Sequence, residues 1–132
     1  MTAIDTNVLV RILTHDEPRQ TEKALALLDD DLILIPVTVM LETEWVLRYC
    51  YRLAPDPIVQ AFRSLLNTPG LILDECSAVA KATELHAQGV DFADALHLSL
   101  TERRADRFCT FDRALALAQS PGDPASPAVI LL

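Results

Sequence analysis

Two acidic residues lie just after short apolar segments that have the pattern of β-strands. Asp5 comes after residues 2–4, and Asp112 comes after residues 108–110. In open α/β sheets, ligands bind beyond the carboxyl ends of the strands, so both carboxylates are candidates for chemistry. The alternative interpretation is a helix N-cap, a position that Asp favours. Asp74 also follows a predicted strand, and we interpret it as part of a turn and cap, so position alone does not select a site.

Two glutamates lie close together on a predicted helix and point in different directions. Glu42 and Glu44 are about 200° apart around a helix that turns 100° per residue. Glu44 has Arg48 one turn later, which predicts an ordinary exposed ion pair. Glu42 is followed at helical spacing by Trp45 and Tyr49, which predicts that it lies on the apolar face. A carboxylate there needs a cation or several donors, so Glu42 is the candidate ligand, unless it extends from the boundary into solvent.

A further acidic pair begins a predicted helix after Gly89. Asp91 and Asp94 have the spacing of a capping box, which predicts that Asp91 is the N-cap. Asp94 lies among small and apolar residues, where another backbone can approach. His97 follows one turn later, but no second His or Cys stands at ligand spacing, so we interpret His97 as structural.

The chain alternates apolar runs with longer helical patterns. The predicted strands are residues 2–4, 32–35, 71–73, 108–110 and 129–132. The predicted helices are residues 8–13, 18–28, 38–51, 57–67, 77–88, 91–104 and 112–119, and residues 120–127 have the composition of a surface loop with three prolines. Strands separated by helices predict an α/β fold. We expect one domain over residues 1–132, with a mostly parallel sheet of about five strands and helices on both faces.

Composition narrows the class of protein. The chain has 132 residues, 51% of them hydrophobic, and a net charge of -8. The longest apolar run, residues 32–41, is half the length of a membrane helix of ~20 residues, and the N-terminus lacks the pattern of a signal peptide. We therefore expect a soluble cytoplasmic protein with no membrane partner. The acid excess argues against nucleic-acid binding by bulk charge, but not against a site that uses metal ions to approach phosphate. Cys50, Cys76 and Cys109 are widely spaced, which predicts reduced, mostly buried thiols.

Four segments in order resemble the motifs of PIN-domain nucleases, and in particular those of the VapC toxins of toxin–antitoxin pairs. They are residues 4–9, 39–47, 91–95 and 110–112, and the resemblance covers nearly the whole chain. It implies a catalytic set of four acids with two auxiliary polar residues that orient ligands through hydrogen bonds: Asp5, Glu42, Asp94 and Asp112, with Asn7 and Thr110. Glu44 departs from the apolar residue that is commoner at its position.

The resemblance implies metal-dependent hydrolysis of RNA, leaving 5′-phosphate and 3′-hydroxyl ends. Neighbouring carboxylates repel one another unless a cation neutralises them. An all-oxygen ligand set suits Mg²⁺ or Mn²⁺ better than zinc. Asp5 and Asp94 are expected as the main metal ligands. Glu42 and Asp112 are expected to complete the acidic cluster and to position the water or a second ion.

The resemblance also implies partners besides RNA. It implies a homodimer and a small antitoxin whose basic C-terminal segment blocks the acidic site. We expect the antitoxin on the exposed parts of residues 18–28 and 38–51. The candidate RNA-binding cations are Arg11, Arg48, Arg52, Arg103, Arg104, Arg107 and Arg113.

Other functions fit the sequence less well. A phosphatase of the haloacid dehalogenase type needs an acid where Asn7 stands, and a late lysine, whereas Lys23 and Lys81 are the only lysines. A response-regulator receiver lacks the same late lysine. A non-toxin PIN nuclease acting on other RNA or on DNA, and a catalytically silent PIN-like binding domain, remain as alternatives.

Overall fold

The computed structural model describes residues 1–118 and 123–132, which form a mixed α/β fold. The chain divides into two units, Met1–Cys76 and Ser77–Leu132, and each is described by itself. The α/β fold class is as predicted. The assignment of residues 1–132 to a single domain stays a prediction.

The first unit is built on a three-stranded parallel sheet. Its strands are β1 (Thr2–Ala3), β2 (Ile33–Ile35) and β3 (Leu71–Leu73), in the spatial order β1-β2-β3. Its helices are α1 (Thr6–Thr14), α2 (Pro18–Asp30), α3 (Val37–Tyr49) and α4 (Pro55–Leu66). Leu34 pairs with Ala3 on one side and with Ile72 on the other. Because parallel neighbours need a crossover connection, the helices between the strands follow from this pairing.

Local sequence explains where the helices of the first unit begin. Pro18 and Pro55 open α2 and α4, where a missing backbone N–H is harmless. The side chain of Glu17 caps α2 by accepting the N–H of Gln20. Fully buried side chains from β2 and from α1, α3 and α4 form the core of this unit: Leu9, Ile33, Ile35, Met40, Leu47, Ile58 and Phe62.

The second unit contains a two-stranded parallel sheet. Its elements are α5 (Cys76–Ala87, whose first residue precedes the unit), α6 (Phe92–Leu100), β4 (Arg107–Thr110), α7 (Arg113–Ala118) and β5 (Ala128–Leu131). β4 pairs with β5 from Arg107 opposite Ala128 to Thr110 opposite Leu131. Gly89, with φ of 101°, provides the left-handed backbone after α5 that the sequence predicts at that helix end.

The five strands lie within two residues of their predicted positions, but they form two hydrogen-bonded sheets instead of one. α6 ends at Leu100, short of the predicted end at Arg104, and Arg103, with φ of 57°, lies in the left-handed region that a right-handed helix does not use. The predicted end of α7 at Gln119, and residues 120–122 of the predicted loop, lie outside the described residues. No helix in the described ranges has both the length and the apolarity to cross a membrane.

The prediction of mostly buried thiols is wrong. All three cysteines are free, as expected, but all three are exposed: Cys50, Cys76 and Cys109. Cys50 follows the last residue of α3, and Cys76 is the first residue of α5. Cys109 belongs to the exposed side of β4, whose residues alternate between exposed and half-buried. All three positions, two at helix ends and one on the exposed side of β4, lie at the surface.

Candidate active site

Asp5 lies between β1 and α1 and is the N-cap of that helix. Its carboxylate accepts the backbone N–H of Val8 at 3.0 Å, and the residue itself is exposed. The cap interpretation is therefore correct. It is compatible with chemistry, because the cap bond involves one of the two carboxylate oxygens.

A cavity of about 530 Å³ opens beside Asp5. Residues of α2 at positions 20, 23, 24 and 27 form one wall, since they lie on one face of that helix. The residues that line the cavity are Asp5, Asn7, Val8, Arg11, Gln20, Lys23, Ala24 and Leu27. The structure thus brings Asp5 and Asn7 together, with two polar residues of α2 that our sequence interpretation missed as site residues. Their spacing of three, on a face shared with two apolar residues, is the signal that could have revealed them.

Arg11 is held in place by a network at the edge of this cavity. Its Nε donates to the side-chain oxygen of Gln20 at 2.7 Å, and its Nη1 donates to Asp16 and to the Tyr51 hydroxyl, each at 3.1 Å. The Tyr51 hydroxyl donates to the other oxygen of Asp16 at 2.5 Å. That bond, followed by one from Thr14, lowers the pKa of Asp16 below its usual value. Arg11 is thus an internal support rather than a free cation.

The predicted orientation of α3 is reversed in the structure. Glu42 is exposed, whereas only 1% of the Glu44 side chain is exposed. Glu44 forms the predicted pair with Arg48, at 3.0 Å from its Nε and 3.3 Å from its Nη2, but the acidic partner is buried rather than at the surface. Trp45 and Tyr49 are exposed by 52% and 58%.

The aromatic residues misled the assignment because aromatic side chains are usually treated as core. The Trp45 and Tyr49 rings contact one another at the surface, with centroids 5.1 Å apart, and the Arg48 guanidinium lies over the Tyr49 ring. The buried face of α3 consists of Met40, Thr43, Glu44 and Leu47, which also follow helical spacing. The sequence of α3 therefore contains two overlapping helical patterns, and the pattern that includes the aromatic residues is the exposed one.

Asp94 lies in the first turn of α6, and its backbone N–H donates to the Asp91 side chain at 3.3 Å, as the predicted cap requires. The Asp94 carboxyl group is half-buried. Burial raises its pKa, and the negative charges of Asp91 and Asp112 raise it further, while His97 acts in the opposite direction. His97 is exposed.

Asp112 and Thr110 occupy the end of β4 and the start of α7. The Asp112 carboxylate accepts the N–H of Leu115 at 3.1 Å, so the cap interpretation holds here too. Its backbone N–H donates to the Thr110 hydroxyl at 3.0 Å. The Asp112 carboxylate lies near enough to Asp94 for its negative charge to raise the pKa of the Asp94 carboxyl group.

The pair of Asp94 and Asp112 has the chemistry of a hard-cation site. Both donors are carboxylate oxygens, which Mg²⁺ and Mn²⁺ prefer, and a cation between them would remove the repulsion that raises the pKa of Asp94. In the described ranges, however, no three or more His, Cys, Asp and Glu side chains are grouped to hold a metal ion. Asp5 and Glu42 belong to the first unit, so the predicted four-acid set and the metal-ligand pair of Asp5 and Asp94 stay predictions.

Comparison with known families gives one finding. The family model described as PIN domain matches residues 2–119, a range that includes all the predicted site residues. Proteins of this family are generally nucleases and typically use divalent metal ions. No characterised protein and no solved structure gave a match to the chain.

Proposed function

This chain belongs to the PIN domain family, and on that basis we propose that it is a Mg²⁺- or Mn²⁺-dependent endoribonuclease and the toxic member of a type II toxin–antitoxin pair. The observation that supports it most directly is the proximity of Asp94 and Asp112, in which the charge of Asp112 raises the pKa of the half-buried Asp94 carboxyl group. Two neighbouring carboxylates repel one another in the absence of a cation, and divalent cations bind such pairs.

The site residues divide into metal ligands and positioning groups. Asp5 and Asp94 would hold a divalent ion, which when bound supplies charge that offsets the negative charge on the phosphate oxygens. Glu42 and Asp112 would complete the acidic cluster and position the attacking water or a second ion. Thr110 fixes the backbone of Asp112 through the bond to its N–H.

The proposed reaction is hydrolysis. The oxygen of a water molecule forms a bond to phosphorus, and the bond from phosphorus to the 3′ oxygen breaks. One RNA fragment then ends in a 5′-phosphate that contains the oxygen of the water. The 3′ oxygen takes up a proton and leaves as a hydroxyl group.

The proposed partners follow from the toxin assignment. A net charge of -8 is complementary to an antitoxin with a basic segment. The exposed residues of α2 and α3 are the proposed antitoxin surface, and the active form is proposed to be a homodimer. A cytoplasmic location belongs to the same proposal, because three free thiols suit a reducing compartment.

Cleavage assays on variants test the enzyme. Wild type, Asp5→Asn, Asp94→Asn and the control Asp74→Asn would be incubated with structured and unstructured RNA, single-stranded DNA and a phosphatase substrate, with Mg²⁺, Mn²⁺ or EDTA. Asp74 lies in an exposed turn after β3, so its variant makes the same chemical change away from the site. We expect ion-dependent RNA cleavage that is lost in Asp5→Asn and Asp94→Asn and retained in Asp74→Asn. Turnover of DNA or of the phosphatase substrate with intact RNA would contradict the assignment.

The toxin assignment has its own test in cells. Induced expression of wild type should arrest growth, whereas Asp94→Asn at equal protein level should not. If growth is unaffected although the expressed protein is an active ribonuclease, the nuclease assignment stands and the toxin assignment is wrong.

A further inference from the structure

We propose that the cavity beside Asp5 binds the RNA strand next to the cleaved bond, with Lys23 contacting a phosphate and Gln20 donating hydrogen bonds. The inference rests on the proposed function and extends it by assigning a substrate subsite to α2. Every residue that lines this cavity belongs to the first unit, between β1 and the end of α2.

Lys23 provides the charge. It is exposed, it lines the cavity, and no ion pair in residues 1–118 and 123–132 includes it. Lys81, the other lysine of the chain, is paired with Glu102 and Asp123. In a protein of net charge -8, an unpaired ammonium group beside a site carboxylate attracts an anion locally, while the remaining surface repels it.

Gln20 provides directed donors. A guanidinium group only donates, so the Gln20 atom at 2.7 Å from Arg11 Nε must be the amide oxygen. The amide NH₂ group of Gln20 therefore remains available for an acceptor in the cavity. Because Asp16 and Tyr51 fix Arg11, this orientation exists before a ligand binds, which lowers the entropy cost of binding.

The lining favours a nucleic-acid strand over other ligands. Lys23 and Gln20 donate, and phosphate oxygens and base edges accept. Val8, Ala24 and Leu27 supply an apolar wall for a sugar or a base. A volume of about 530 Å³ lies within the range of pockets that hold molecules of nucleotide size.

Binding measurements on matched variants test the subsite. Lys23→Gln and the control Arg19→Gln would be made in an Asp94→Asn background, to prevent cleavage, and titrated with a fluorescent single-stranded RNA of about ten nucleotides. Arg19 is exposed on the same helix but does not line the cavity, so both variants lose one charge from α2. Melting temperatures would verify that both are folded.

We expect Lys23→Gln to weaken RNA binding about three- to tenfold at low salt and to reduce the salt slope by about 0.7, the value for one phosphate contact on a single strand. Arg19→Gln should have less than half that effect. Gln20→Ala should weaken binding without changing the salt slope. Equal effects of Lys23→Gln and Arg19→Gln, no effect of Lys23→Gln, or no RNA binding by any variant would each overturn the subsite.

Neutral methylphosphonates, introduced into the RNA at one phosphate position at a time, locate the phosphate that Lys23 contacts. One position should weaken binding to the protein that retains Lys23 and have no effect on Lys23→Gln, since the two changes remove the same interaction. The proposed function fails separately: Lys23-dependent binding without cleavage would remove the nuclease and retain the subsite. Cleavage by the Lys23→Gln variant with unchanged kcat and KM would remove the subsite and retain the nuclease.

Discussion

The carboxylate of Glu44 lies 3.0 Å from Nε of Arg48, and only 1% of its side chain is exposed, while Glu42, two residues earlier on the same helix, is exposed. The two acids of α3 are therefore in opposite situations. Glu44 is buried and paired with the half-buried Arg48, an arrangement that is sensitive to the loss of either partner. Glu42 is exposed, and it is the acid of α3 that we propose acts in catalysis.

Exchanging each acid for its amide should separate stability from activity. Glu42→Gln should change the free energy of unfolding by less than about 0.5 kcal/mol, as expected for an exposed residue, and reduce RNA cleavage by about 10²-fold or more. Glu44→Gln should cost about 1–3 kcal/mol of stability, because it weakens the pair with Arg48. Urea unfolding and an initial-rate cleavage assay measure both quantities.

Arg48→Ala provides the complementary measurement. It leaves the buried Glu44 carboxylate without its guanidinium partner and should cost about 3–5 kcal/mol. A Glu42 variant that unfolds as readily as the Glu44 variant would contradict this division of roles.

The hydroxyl of Thr110 should support activity through Asp112. Thr110→Val keeps the shape and removes the acceptor that lies 3.0 Å from the Asp112 N–H. We expect a loss of about 0.5–1.5 kcal/mol in stability and a larger proportional loss in cleavage rate. Thr110→Ser retains the acceptor and should restore most of the rate. Equal rates for the Val and Ser variants would remove Thr110 from the site.

Titration of Asp94 in the metal-free protein should show its raised pKa. Since burial and the charges of Asp91 and Asp112 raise this pKa, the folded protein binds a proton more readily than the unfolded chain. The unfavourable contribution of ionised Asp94 to the stability of the fold is absent below the unfolded pKa near 3.8. It grows as the pH rises toward the folded pKa and is complete above that pKa.

Two changes should lower the pKa of Asp94. Asp112→Asn removes one of the two charges, and added Mg²⁺ counters both, so each should lower the Asp94 carboxyl pKa in a carbon-13 NMR titration. Mg²⁺ should also raise the melting temperature at pH 7. A titration unaffected by Mg²⁺ over a full concentration series would argue against ion binding at Asp94.

The contribution of Asp16 to the pH dependence of stability should have the opposite sign to that of Asp94. Its pKa is lowered mainly by the Tyr51 hydroxyl, so its stabilising contribution is present above 3.8 and is lost as the pH falls through the lower folded value. Tyr51→Phe should raise the Asp16 pKa toward 3.8. Asp31, whose pKa is lowered by the N-terminal ammonium group, should titrate as in wild type and is the internal control.

The sequence predicted the elements well because their signals are local. Proline at the start of α2, glycine after α5 and the capping aspartates each act within one helical turn. The N-cap and the catalytic interpretations of Asp5 and Asp112 were alternatives at the sequence level. In the structure the cap bonds exist, and they leave the chemical interpretation open.

The orientation of α3 and the lining of the cavity could not be predicted in the same way. Which face of α3 is buried depends on the elements packed against it, and the pattern of Trp45 and Tyr49 competes with that of Met40 and Leu47. In the sequence, Lys23 is distinguished only as one of two lysines. Its position beside Asp5 depends on how α2 packs on α1, which a linear sequence does not specify.

Exposure of Trp45, the single tryptophan of the chain, has a consequence for spectroscopy. A solvated indole already emits at long wavelength in the native protein, so its fluorescence should change little on unfolding, and circular dichroism is the better monitor of stability. The same indole lies one helical turn from Glu42, on the exposed side of α3 where we propose that the antitoxin binds. A shift of its emission to shorter wavelength would therefore report association directly, without any attached dye.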